Sequence, residues 1–75
     1  MTREQRELAE IISKANGGQV RFNLSRAARI AGRSRTGFPA WLHERGAMVE
    51  RTGKDKYINV NDLAIALTAD RVSPL

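Results

Sequence analysis

Residues 23–46 read NLSRAARIAGRSRTGFPAWLHERG, and the rest of the chain supports what this stretch builds. Asn23 is a good N-cap, because its short side-chain oxygen can accept from a first-turn N–H; it opens a helix over residues 24–31. Gly32 ends that helix, since glycine takes the left-handed conformation without a Cβ penalty. Ser34 is placed to cap a second helix with Arg35 and Thr36 in its first turn, and Gly46 stops it. Ala27, Ala28 and Ala31 make one face of the first helix small enough for a second helix to cross closely, with Ala28 and Gly32 at the tight point. Phe38, Trp41, Leu42 and Arg45 share a face of the second helix, so the first three belong to the core with the Arg45 stem laid over them. Pro39 opposes the early start, because it lacks an N–H and disfavours helical geometry at Phe38. The alternative is a helix beginning near Pro39, with residues 33–38 as a stiff loop that presents Arg33 and Arg35.

Two helices joined by a tight glycine turn make a helix-turn-helix, whose second helix can enter a DNA major groove. Its outward face would carry Thr36, Ala40 and His43, flanked by Arg35 and Pro39. Arg35 can bond bidentately to guanine, and Thr36 or Ala40 can touch a thymine methyl. The candidate base-reading set is therefore Arg33, Arg35, Thr36, Ala40 and His43. Arg26 and Arg29 point away from the alanine face and suit backbone phosphates, as do Arg21 and Ser34.

The placement of charge agrees. The chain has 75 residues and a formal net charge of +5. Residues 1–15 carry three bases and three acids, whereas residues 16–56 carry nine bases against three acids, a net +6. No acid lies between Glu10 and Glu44. A polyanion would meet potential of one sign along that segment.

The flanking stretches read as scaffold. Residues 1–16 form an N-terminal helix segment, with a capping box at Thr2 and Gln5 and an apolar stripe of Leu8, Ile11, Ile12 and Ala15. Arg3–Glu7, Arg6–Glu10 and Glu10–Lys14 are spaced to pair, and Asn16-Gly17-Gly18 closes the helix. Residues 19–22 alternate, with Val20 and Phe22 on one side, and suit a short strand pairing with a later hairpin. Residues 47–60 form that hairpin: two strand-like runs, 47–52 and 56–60, around Gly53-Lys54-Asp55. Arg51, Lys54 and Lys56 near its tip suit phosphates or the minor groove. Asn61 caps a last helix within residues 61–70, where Leu63, Ala64 and Leu67 complete the core; Ile65, Val72 and Leu75 are left over, either as ordinary surface or as a dimer contact. The fold class is thus mainly α with a small β-hairpin (α+β), in one domain over residues 1–75.

A chain this short buries only about 60% of its unfolded surface, so a second copy would help stability. There is no cysteine, which excludes disulfides and thiolate metal sites. No apolar run approaches the roughly 20 residues of a membrane span and nothing resembles a signal peptide, so the expectation is a soluble cytoplasmic protein. With one histidine, no Ser/His/Asp set and no phosphate-cradling glycine loop, catalysis is the poorest fit. No catalytic residue, metal, cofactor or small-molecule ligand is expected.

The order of features from Asn23 to Leu67 resembles the winged helix-turn-helix of the MerR-like and excisionase-like DNA-binding families. The matching features are Asn23, Ala28, Gly32-Arg33-Ser34, Trp41, Gly46, the basic run from Arg51 to Lys56, Tyr57-Ile58 and Asp62-Leu63. Residues from Ala28 to Arg51 also resemble the C-terminal domain of KilA-type phage proteins. The match spans residues 23–67, 45 of the 75. Arg33 stands where a small apolar residue is usual, and Gly37 and Pro39 disturb the start of the second helix. The long dimerisation helix of MerR-like proteins has no counterpart in these residues.

The resemblance implies a winged helix with the hairpin as wing, double-stranded DNA as partner, and a setting such as a phage or plasmid. The leading expectation is a sequence-specific small transcriptional regulator that binds as a homodimer, since one such module reads few base pairs. An architectural, excisionase-type factor that bends DNA would use the same surface. A protein-interaction module would show apolar residues on the wing, where this sequence has Arg and Lys. RNA fits less well, for want of an aromatic stacking platform.

Overall fold

The structure, a computed structural model, describes residues 1–69. It is a small α+β domain of helices α1 (Arg3–Ala15), α2 (Leu24–Ala31), α3 (Phe38–Glu44) and α4 (Val60–Thr68), with strands β1 (Arg21–Asn23), β2 (Glu50–Thr52) and β3 (Asp55–Asn59). The strands form an antiparallel sheet in the order β1-β3-β2.

The expected capping box opens α1: Thr2 Oγ1 accepts from Gln5 N at 3.1 Å, and Gln5 Oε1 accepts from Thr2 N at 2.8 Å. Of the three spaced ion pairs, Arg3–Glu7 forms, at 3.2 Å on an exposed surface, where it contributes little. The stripe needs correction. Ala9 and Ile12 are buried and Leu8 packs against them, whereas Ile11 is 64% exposed and Ala15 is also exposed. α1 lies against α4. Its contact face is rotated toward Ala9, a small side chain that permits close approach to a helix with its own buried Ala64 and Ala66.

β1 enters the sheet through Phe22, which faces Ile58 in register; both are buried. Val20, which the alternation places beside Phe22, is 56% exposed. The ladder starts one residue later, and Val20 instead accepts Val60 N on its carbonyl at 2.8 Å.

α2 has the bounds its sequence implies. Asn23 Oδ1 accepts from Arg26 N at 2.8 Å, and Gly32 ends the helix at φ +69°. There Gly32 N donates to Arg29 O and Arg33 N to Ala28 O, satisfying carbonyls the helix leaves open. We expect Asn23→Ala to cost about 0.5–2 kcal/mol. Urea unfolding with an unchanged midpoint would show that this cap contributes nothing.

α3 begins at Phe38, so Ser34 does not cap it, and Arg35 and Thr36 lie in the preceding turn. Ser34 Oγ accepts from Gly37 N at 3.2 Å, and Phe38 N donates to Ser34 O at 3.1 Å, giving one helix-like turn. Pro39 cannot continue that series because it has no N–H to donate. The later-start alternative therefore describes this chain.

Two other boundaries move. Thr52 pairs with Asp55, so the hairpin loop is the two residues Gly53-Lys54, and residues 47–49 precede the ladder. Gly53 alone in that loop has positive φ, +63°, as a two-residue loop with glycine first requires. α4 starts at Val60, capped by Asn59, whose Oδ1 accepts from Asn61 N at 2.8 Å, so Asn61 is inside the helix. Asp70, Val72 and Leu75, placed by sequence in the last helix and tail, lie outside the described residues.

A single core joins the layers, with Phe22, Phe38, Leu42, Ile58 and Leu63 fully buried. Phe38 stacks on Trp41, ring centroids 5.6 Å apart. Thr68 is buried too and donates its hydroxyl to Ala64 O at 2.9 Å. Among the described residues, no helix is long and apolar enough to cross a membrane.

Candidate nucleic-acid interface

The alternation of a strand decides which cations meet α3. Side chains two apart on β3 share a face. Lys56 therefore lies on the Ile58 side, and its register partner Arg51 lies beside it. The face that is core near Ile58 becomes cationic toward the tip. Lys56 and Arg51 line a cleft of about 280 Å³ with Pro39 and His43 of α3, floored by Leu24, Ala47 and Val49. No carboxylate lines it.

Two like charges directly opposite on neighbouring strands oppose the pairing. Lys56→Glu would turn them into an opposite pair and is expected to stabilise the fold by about 0.2–1 kcal/mol. That corresponds to a thermal midpoint higher by roughly 1–6 °C. A lower midpoint would show that the surroundings already compensate the repulsion.

On the other face of the sheet, Arg21 is committed. Its Nε lies 3.0 Å from Glu50 Oε2, a terminal nitrogen donates to Thr52 Oγ1 at 2.8 Å, and its guanidinium sits 4.2 Å from the Tyr57 ring centroid. It bridges β1 to β2 across the central strand. Arg21 still lines a cleft of about 460 Å³ with Arg26 and Arg29, but an anion there would compete with Glu50 for it.

The expected base-reading set divides in two. Ala40 and His43 are exposed on the outer face of α3, with His43 in the cleft toward the hairpin. Arg33 and Arg35 lie on the α2 side of the turn, where they line a hollow of about 290 Å³ with Arg29 and Ser25. Thr36 is exposed in the turn between them. Arg33 does not reach out alone, because its guanidinium stands 4.6 Å from the Trp41 ring centroid, as does that of Arg45. Ser34 is exposed, and its oxygen accepts from Gly37 N.

Among the expected phosphate contacts, Arg26, Arg29, Arg51, Lys54 and Lys56 are exposed. Lys54 and Lys56 flank Ser25 and Asn23 across a third cleft of about 330 Å³, which Asp55 also lines. The first turn of α2, with backbone N–H groups that have no acceptor in their own helix, thus sits where these clefts meet. Sequence reasoning overlooked Ser25, which lines three of them. A hydroxyl in the first turn of a capped helix was the available sign. It also overlooked Leu24 and Val49, whose half-burial at a cleft floor depends on tertiary packing.

No protein-family profile, curated protein or solved structure matches this chain.

Proposed function

We propose that this protein is a winged helix-turn-helix that binds double-stranded DNA sequence-specifically and acts as a small transcriptional regulator. α2 and α3 are the helix pair and the β2–β3 hairpin is the wing. One observation carries the reading: the outer face of α3 and the Arg51/Lys56 pair line a single carboxylate-free cleft beside the capped first turn of α2. In B-DNA one backbone strand separates the major groove from the adjacent minor groove. A helix in the first and a hairpin over the second need cations and an open channel between them. That is what this cleft supplies.

In this reading Ala40 and His43 face base edges, Thr36 reaches them from the turn, and Arg26, Arg51, Lys54 and Lys56 hold phosphates. Seven residues of helix extend about 10 Å, enough for only a few base pairs. Two copies on repeated half-sites, spaced about one helical turn or a multiple of it apart, complete a usable site.

The test is retention of a random pool of short duplexes at two salt concentrations, followed by sequencing. An enriched motif, arranged as an inverted or direct repeat, is expected. Salt-sensitive retention without enrichment would contradict the sequence-specific role and favour an architectural one. No retention at low salt would overturn DNA binding.

A further inference from the structure

The hollow between α2 and the turn has no task beyond general basicity in the reading above, yet its construction is specific. Arg29, Arg33 and Arg35 line it with Ser25, and no carboxylate does. Among the described residues, none of the three arginines is ion-paired; the pairs that form are Arg3–Glu7 and Arg21–Glu50. Three guanidinium groups around one hollow repel each other unless an anion sits among them. Arg33 is also held in place. Its backbone N–H is fixed to Ala28 O at 2.9 Å, and its guanidinium lies 4.6 Å from the Trp41 ring centroid. Trp41 in turn is nearly buried and stacks on Phe38 at an interplanar angle of 20°. Stacking occupies the flat face of a guanidinium and leaves its in-plane N–H donors available.

We propose that Arg29, Arg33 and Arg35, with the Ser25 hydroxyl, form a phosphate-binding site for which Trp41 is the platform. It rests on the DNA-binding reading in taking the natural ligand to be a backbone phosphodiester. Arg33 serves here as a fork whose direction is set in advance. A lysine at this position keeps the charge but loses both the stack and the fork.

Trp41 is the one tryptophan in the sequence, so its emission reports on this site directly. The experiment follows that emission during titration with inorganic phosphate at constant ionic strength, then with a mixed-sequence 20-base-pair DNA duplex. Duplex binding is monitored in parallel by the anisotropy of a label on the DNA. A saturable change with phosphate is expected, and the same change with duplex at far lower concentration. Arg33→Lys and Arg29→Gln, both at exposed positions, should each raise the half-saturating phosphate concentration by about fivefold or more, with far-UV circular dichroism unchanged. A flat phosphate titration, in a protein whose duplex anisotropy shows binding, would overturn the site and leave the DNA-binding reading intact. Arg33→Lys titrating like the unchanged protein would equally overturn it. Saturation by phosphate without any duplex binding would uphold the site and defeat the DNA reading.

Discussion

Replacing Arg51, Lys54 and Lys56 together by glutamine is expected to weaken binding to a mixed-sequence duplex by on the order of a hundredfold at low salt. The figure follows from losing about three charge-assisted contacts, each contributing about 1 kcal/mol or more. The slope of log affinity against log salt should flatten by roughly 2.7, because each lost phosphate contact releases about one counterion fewer. All three side chains are exposed, and Lys54 sits in the hairpin loop, so no core contact is removed. Loss of the Arg51–Lys56 opposition should, if anything, strengthen the hairpin. Binding and stability therefore move in opposite directions, which damage to the fold cannot imitate. The control removes an equal charge from α1, by glutamine at Arg3, Arg6 and Lys14, all exposed on the helix that packs on α4. If the α1 variant shows the same loss of affinity and slope, net charge rather than this surface drives binding.

The largest expected effect on stability comes from Phe38→Ala. Phe38 is fully buried and stacked on Trp41. Truncation costs about 3–5 kcal/mol for lost burial and the cavity left behind. The aromatic pair adds about 0.5–1.5 kcal/mol. A domain of this size has a total stability of roughly 4–11 kcal/mol, so the variant should lose from about a third to all of it. Urea denaturation followed by Trp41 emission measures this directly. A loss below about 1 kcal/mol would mean that the α3 core face is misplaced.

The parts of the fold legible in the sequence are those decided by neighbours along the chain. Asn23 and Gly32 set both ends of α2 because a cap and a left-handed stop are local chemistry. The Thr2/Gln5 box does the same for α1. Errors appear where a distant contact chose between local options. Asn59 and Asn61 are both able to cap a helix, and the choice falls to Asn59, where Val60 N ties to Val20 O across the chain. Leu8 with Ile11 and Ile12 makes as good a stripe as Leu8 with Ala9 and Ile12, until α4 settles which side is covered. Pro39 signalled a late α3 start, and the Ser34–Gly37 turn shows how the chain accommodates it.

For the candidate site, sequence marked the cations but not their surroundings. Arg21 and Arg33 look equivalent as letters. In the structure one faces Glu50 and the other Trp41, through contacts no local pattern encodes. The opposition of Arg51 and Lys56 likewise required the hairpin register, which follows from a two-residue loop rather than the three-residue loop expected.

The most direct measurement of the central claim is a titration of ¹⁵N-labelled protein with a short duplex, followed by amide chemical shifts. The expected perturbations fall on the first turn of α2, on residues 33–37, on the outer face of α3 around Ala40 and His43, and on the hairpin from Arg51 to Lys56, while the amides of α1 stay in place. Shifts concentrated on α1 and the exposed edge of α4, with the hairpin and α3 unmoved, would contradict it.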